Sequence, residues 1–509
     1  MRRARRLLLH TSAMTGTSLL MRTIAMAFQV YVAGRIGAAG IGLYQLIMSV
    51  YLLATTLAAS GIRLASTRLI AEQIGREAPQ DTRRATRCCM GYSALFGIGA
   101  MMILFRLAPV AGGLVGDERA ILSLKILALA LPFVAGTSAM GGYFIARHQS
   151  VKLSIVQLSE QVIRIGCTVL ALKRLVNYGL EYACAALTLG MLASEIFSFL
   201  AQLLLLLSDI KTIPKGKSHQ PMLRSLLHIT VPLSLSSYAR SALSTLQHLL
   251  VPRGLRRFGG GAEAALAAYG VIQGMSLPVL LFPAAVITVI ADLIVPELTE
   301  AQVQGRLHNL SYMLERLYRM GLLFAIGVGG ICFFFSEPLG NLIYHSEDAA
   351  RYIRLLAPLV PAMYMDTLVD GMLKGVGEYR ANMRYNIIDA GVGLVLVWWL
   401  VPRFGVDGYL FSIAATELLN FALSAARLSR VTEFRLQLRM WFLDALCLAG
   451  GYYLVKLLFA GLMRHSDEAV GLIGIIVLVL SGYYLLLRLT RALTKEESRW
   501  FVGLIRHEP

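Results

Sequence analysis

Apolar runs of about 20 residues, each long enough to cross roughly 30 Å of hydrocarbon as a helix, recur from one end of this 509-residue chain to the other. No other feature restricts the fold as much, because inside a bilayer only helices and closed barrels satisfy every backbone donor and acceptor. Hydrophobic residues make up 57 % of the chain and charged residues 15 %, against about a quarter charged in an ordinary soluble domain. The mean hydropathy is +0.64. The expected fold is therefore all-α and polytopic in the membrane, with no stretch left over for a soluble domain.

Fourteen transmembrane helices are expected, near 7–33, 42–67, 88–110, 120–145, 153–172, 181–207, 226–251, 265–295, 317–336, 352–373, 384–402, 407–426, 440–462 and 469–488. The loops between them are short, which is where the positive-inside rule carries most information. With the N-terminus in the cytoplasm, thirty Lys and Arg fall on the inner side and twelve on the outer, leaving six within or at the edge of spans. Both termini are thus expected in the cytoplasm. Topology accounts for the net charge of +18 without a nucleic-acid partner, since no basic block is interleaved with aromatics. Arg2, Arg3, Arg5 and Arg6 precede an apolar segment that runs to about Val32 with no short h-region and small-residue cleavage site, so it reads as a retained first span. The six cysteines show neither a disulfide frame nor metal-ligand spacing.

An internal repeat is visible. Tyr44 in LYQLIMS and Glu72 in RLIAE are 28 residues apart, as are Tyr269 in AYGVIQGMS and Glu297 in VPELTEA, and a Gly-rich hinge precedes each pair, at 35–42 and 259–261. Spans 1–6 are therefore expected to recur as spans 7–12. An even number of helices per half makes the repeats parallel, about an axis along the membrane normal. The corresponding domains are an N-lobe over 1–210, a cytoplasmic linker over 211–224, a C-lobe over 225–430, and spans 13 and 14 with a tail over 431–509. Pro278, Pro283 and Pro296, with Gly270 and Gly274, loosen the eighth span. Two such lobes around a cavity form the architecture of a rocking transporter. The competing reading is that Pro and Gly are simply common in membrane helices.

The stretch from Arg22 to Glu72 carries Arg22 and Arg63 where hydrocarbon is expected, and ionisable residues in spans mostly face a wet, protein-lined cavity. GRIGAAGIGLYQLIMSVYLLATTLAASGIRLASTRLIAE, SIVQLSEQVIRIG at 154–166 and YGVIQGMSLPVLLFPAAVITVIADLIVPELTEA at 269–301 resemble the stage V sporulation protein B family. That family belongs to the multidrug, oligosaccharidyl-lipid and polysaccharide exporter superfamily, alongside the lipid II flippases, and the likeness extends over essentially the whole chain. It implies a two-lobed protein that alternates between inward-open and outward-open states. The cargo it implies is an undecaprenyl-pyrophosphate-linked saccharide, such as a peptidoglycan precursor for the spore cortex, moved to the outer leaflet of a bacterial cytoplasmic membrane. Cell-wall synthesis enzymes are then expected partners. Spans 13 and 14, rich in Leu, Ile and Val from Leu472 to Leu487, correspond to the helices that help form a lipid-tail groove in the lipid II flippases; the competing reading is a lipid-facing accessory pair. Arg22 matches a cavity arginine of those flippases, whereas their next two arginines fall at Phe28 and near Thr55 here.

A pyrophosphate must lose hydration to cross, and guanidinium groups replace that water with charge-assisted, bidentate hydrogen bonds. Arg22 is accordingly expected to be a pyrophosphate ligand, with Arg63 and Arg240 as cavity partners; the alternative for each is structural pairing. Glu160 and Arg164 stand at i and i+4 and pair on one helix face, as a structural bridge or as sugar ligands. Gln247 and His248 are candidates for hydrogen bonds to sugar hydroxyls, unless a neighbour satisfies the histidine. Asp366 and Asp370, again i and i+4, with Asp389 on the next span, are candidates to couple transport to Na⁺ or H⁺. Asp292 and Glu417 are weaker ones. No resident cofactor is expected.

Two alternatives compete. A multidrug cation antiporter of the same superfamily calls for acidic groups in the first-half cavity, but the first span here is acid-free. A non-transporting scaffold for cell-wall synthesis needs no cavity arginine. Enzymes are disfavoured: Gly216-Lys217-Ser218 ends like a P-loop, yet Lys211 stands where the first glycine is required, and no serine-nucleophile elbow or His-Glu-x-x-His is present.

Overall fold

The computed structural model describes the backbone of residues 2–59, 61–75, 79–211, 222–305, 307–432, 438–458, 469–490 and 492–493. Among these, every regular element is helical. The elements are α1 (Arg2–Ala59), α2 (Ile62–Gly75), α3 (Pro79–Val115), α4 (Ala120–Ala146), α5 (Ser150–Leu175), α6 (Leu180–Lys211), α7 (Met222–Phe258), α8 (Ala262–Val271), α9 (Leu277–Leu281) and α10 (Ala284–Val303). They continue with α11 (Leu307–Phe334), α12 (Ser336–Tyr344), α13 (Glu347–Leu356), α14 (Val360–Gly375), α15 (Tyr379–Val431), α16 (Leu438–Leu458) and α17 (Ala469–Leu489).

Ten helices among the described residues are long and apolar enough to cross a membrane, by length and composition. Two of them, Leu20–Gly75 and Tyr379–Val431, each cover two of the fourteen expected spans. In each the helix is interrupted at a glycine, Gly37 (φ 70°, ψ 178°) and Gly405 (φ 59°, ψ −132°), backbone angles that only glycine adopts without strain. The stretches where the seventh and tenth spans are expected are helical but not among the ten. α7 carries a Ser- and Thr-rich face, and α13 opens on Glu347 and Asp348 with Arg351 and Arg354 following.

The second span of each expected half is broken. α1 ends at Ala59 and α2 begins after Gly61 (φ 74°); in the second half the break lies at Phe282 and Pro283, between α9 and α10, three residues before the place that the 225-residue offset between Tyr44 and Tyr269 gives. A π-helical turn over Ile272–Ser276 precedes it. Such turns and prolines interrupt the i→i−4 ladder and bend the helix.

The chain forms two compact units. Unit 1 comprises residues 1–270 with 394–408, and unit 2 comprises 271–393 with 409–509. In unit 1, Tyr143, Phe144, Met140, Leu69 and Ile70 centre a core to which α2, α3, α4, α6 and α7 contribute. Small residues let the backbones approach, as is usual where lipid offers no hydrophobic drive between helices. A Cβ on Gly42 would lie 2.0 Å from the Leu266 carbonyl oxygen, and one on Gly270 2.1 Å from that of Ala38. In unit 2, α16 packs on α11 and α17, and the Phe334 ring stacks on Tyr452 at 4.1 Å between centroids.

Candidate functional site

Three arginines of unit 1 interrupt apolar helix: Arg22 in the first arm of α1, Arg63 in the first turn of α2 and Arg240 in α7. All three are exposed from the protein. Among the described residues none forms an ion pair with a carboxylate. Arg63 lies across α4, where a Cβ on Gly141 would sit 3.6 Å from its Nε. α7 is bonded along the second arm of α1: Tyr238 donates to the Leu57 carbonyl at 3.4 Å, Thr56 to Ser241 Oγ at 3.3 Å and Thr245 to the Ser49 carbonyl at 3.0 Å. At about 100° per residue this stripe leaves Arg240 and Gln247 on the opposite face of α7.

Arg164 is held tightly. It donates to Glu160 at 2.7 Å and to Ser194 Oγ at 3.3 Å, and Glu195 lies 3.7 Å away. The spacing of Glu160 and Arg164 foretold the first contact; Glu195, on α6, enters only through packing of α5 on α6. Two carboxylates around one guanidinium suit a structural bridge that lowers the cost of all three charges. Tyr51, 5 % exposed, keeps a buried hydroxyl with no partner among the described residues. His248 is engaged by a neighbour, its Nδ1 lying 3.1 Å from the Tyr269 hydroxyl.

In unit 2 the acidic candidates converge with amides from the following helix. Asn420 donates to Asp366 Oδ2 at 2.9 Å and Ser424 to Asp370 Oδ1 at 3.2 Å, both across 54 residues of sequence. Asn386 Nδ2, 3.5 Å from Asp370 Oδ2, also donates to Asn382 Oδ1 at 3.1 Å. Asp389 follows Asn386 by three residues on α15, and Glu417 precedes Asn420 by three. Asp366 Oδ1 and Asn420 Oδ1 are buried acceptors without a hydrogen-bond partner among the described residues. One free oxygen of the Asp366 carboxylate and the amide oxygen of its partner Asn420 are lone-pair donors of the kind that take a proton or a hard monovalent cation. The described residues hold no group of three or more His, Cys, Asp or Glu arranged for a metal. The Asp292 side chain lies outside the described residues.

One of the ion pairs that the spacing of residues did not reveal joins Arg319 of α11 to Asp444 of α16. Arg319 donates through both terminal nitrogens to the two Asp444 oxygens and to the Ala492 carbonyl at 2.9 Å. Trp441 donates to the Tyr318 hydroxyl beside it at 2.9 Å. The available signal was Asp444 itself, a lone acid inside MWFLDALCLAG, since such a charge needs a partner.

The family model described as "Polysaccharide biosynthesis protein" matches residues 8–295, and that described as "MatE" matches 258–399. Stage V sporulation protein B of Bacillus subtilis is 26 % identical over 96 % of this chain and 96 % of its own. The lipid II flippase MurJ of the same organism is 21 % identical over 80 % of each. Among solved structures, a lipid II flippase MurJ in an inward closed conformation superposes with a TM-score of 0.70 at 13 % identity, covering 94 % of this chain and 98 % of that one. An inward-facing multidrug resistance transporter of the MOP superfamily gives 0.60 at 16 % identity, over 81 % and 95 %. The fold is that of this superfamily of membrane transporters and flippases, and the curated relatives are not enzymes.

Proposed function

This chain belongs to the polysaccharide biosynthesis protein family, and from that premise we propose that it flips an undecaprenyl-pyrophosphate-linked saccharide, a peptidoglycan precursor such as lipid II, from the inner to the outer leaflet by alternating access. The observation that carries the reading is the set of guanidinium groups at Arg22, Arg63 and Arg240, set in apolar helices without a carboxylate partner among the described residues. A lone charge against lipid is costly, so an arginine left uncompensated in a span belongs against water or an anionic cargo. Arg22 is the pyrophosphate ligand and Arg63 its companion. Arg240 and Gln247, on the face of α7 turned from α1, meet the cargo from another side.

The working arrangement is fourteen spans in two six-helix lobes, with spans 13 and 14 appended and both termini in the cytoplasm. Glu160 with Arg164 fixes the first lobe, and His248 with Tyr269 ties α7 to α8. Asp366 and Asp370, with Asp389 nearby, couple rocking to Na⁺ or H⁺: taking up a cation neutralises a carboxylate held among Asn420, Ser424 and Asn386 and changes what these helices gain by packing together.

Purified protein in vesicles, given lipid II and an organic cation in separate assays, tests the reading. Wild type should move lipid II, and Arg22→Ala should lose that movement at normal protein level. Uptake of the cation alone would replace the flippase with a cation antiporter, the reading that the acid cluster of unit 2 favours. Unchanged ion dependence in both Asp370→Asn and Asp389→Asn would remove those residues from the coupling step.

A further inference from the structure

A second cluster of arginines lies in unit 2, on the same part of α15 as Asn382 and Asn386 but made of side chains not used above. Arg380, Arg384, Tyr385, Glu378, Ala381 and Arg427 line a cavity of about 320 Å³. It sits where α14 gives way to α15, beside the last turns of α15 before Val431. Glu378 immediately precedes α15, a place where a side chain often caps the exposed amides. It makes no cap bond. Its carboxylate instead holds Arg427 in a fork, with Nη2 at 2.8 and 2.9 Å from the two oxygens and Nε at 3.1 Å.

This arrangement has unfavourable electrostatics as it stands. Arg380 and Arg384 stand at i and i+4, where like charges repel, in the first two turns of α15, where the helix dipole disfavours cations. Both side chains are exposed, and no acidic residue lies in the first turn. Three guanidinium groups against one carboxylate leave the cavity at +2. Topology signalling requires basic residues near this end of the span but gives no reason for them to converge on one cavity, nor for Glu378 to aim Arg427 into the same lining. A tetrahedral oxyanion would remove both penalties, since forked N–H donors match phosphate geometry and the open helix end adds amide donors.

We propose that the cavity lined by Arg380, Arg384 and Arg427 is a phosphate-binding site distinct from the Arg22 site, taking either the phosphodiester headgroup of an anionic phospholipid or free pyrophosphate. Basic pockets at helix ends on the cytoplasmic side recognise lipid headgroups by this chemistry. The site stands independently of which cargo the protein carries.

The experiment uses the full chain in phosphatidylcholine nanodiscs. In one arm inorganic pyrophosphate is titrated calorimetrically; in the other, phosphatidylglycerol is mixed in and the lipids retained after extraction are counted by native mass spectrometry. Arg380→Gln/Arg384→Gln should weaken the wild-type interaction by ~10-fold or more, and Arg430→Gln/Arg439→Gln, which removes the same charge outside the cavity, should leave it intact. Arg22→Ala should remove only pyrophosphate held at the Arg22 site; it should leave both the binding component that Arg380→Gln/Arg384→Gln removes and the phosphatidylglycerol retention, which separates this site from the flippase reading. If the double variant fails to fold, Arg384→Gln alone replaces it, with the unfolding midpoint as the check. Pyrophosphate binding alone assigns the free anion, and phosphatidylglycerol retention alone assigns the headgroup. The proposal is overturned if neither probe binds, or if the two double variants lose binding equally.

Discussion

Removing one partner of the Arg319–Asp444 pair should be among the most destabilising single changes in unit 2. Asp444 has no exposed side-chain surface and the Arg319 side chain is 10 % exposed, so each charge is compensated almost entirely by the other. Replacing one partner strands a buried charge, which costs about 3–5 kcal/mol, whereas replacing both with apolar residues of similar volume is often neutral or better. Arg319→Met and Asp444→Leu should therefore each lower stability by about 3 kcal/mol or more, while the double variant should return to within about 1 kcal/mol of wild type. Arg319 also donates to the Ala492 carbonyl, so Arg319→Met should be the worse of the two, by roughly the 1 kcal/mol that such a bond contributes. The measurement is a double-mutant cycle on unfolding of detergent-solubilised protein, followed by fluorescence that includes Trp441, which is bonded to Tyr318 next to Arg319. A coupling energy indistinguishable from zero, with the two single losses simply adding, would refute the claim that the charges compensate each other. Additive loss would mean instead that solvent or headgroups reach the pair.

Other outcomes follow from the same reasoning. Gly42→Val should destabilise by about 3 kcal/mol, because its Cβ would strike the Leu266 carbonyl at 2.0 Å and backbone cannot yield as a side-chain tip can. Gly99→Ala, with nothing within 4 Å of the new carbon, should be neutral or slightly stabilising; thermal midpoints compare the two. Arg164→Gln leaves Glu160 and Glu195 facing each other without their cation and should cost about 2 kcal/mol or more, whereas Glu195→Gln should cost less, read in the same assay. Between α3 and α4, burial raises the Asp117 carboxyl, but hydrogen bonds from the Arg119 side chain and backbone, with the charges of Arg119 and Arg256, bring it below the ordinary carboxylate value. A lowered folded-state value means stability that is present above the unfolded carboxylate range and lost as pH falls through the folded value. Amide exchange over 112–119 should therefore stay slow near neutrality and quicken in acid relative to the rest of the chain, and Asp117→Asn should abolish that difference.

The sequence alone determined the class of this protein, because apolar runs of membrane length with so little charge admit only a helical, bilayer-spanning chain. It also determined features that live within one or two helical turns: the Glu160–Arg164 bridge, and the glycine hinges at Gly37 and Gly259, whose positive φ answers to the Gly-rich stretches. The pairing of Arg319 with Asp444, of Glu195 with Arg164 and of Glu378 with Arg427 was decided only by tertiary structure, as were the amides that meet Asp366 and Asp370. Helical periodicity tells which side of a helix a residue occupies; it carries no record of which other helix lies there. In a span that is apolar on every side even that local signal is weak, so the partners of buried charges emerge only when the helices pack.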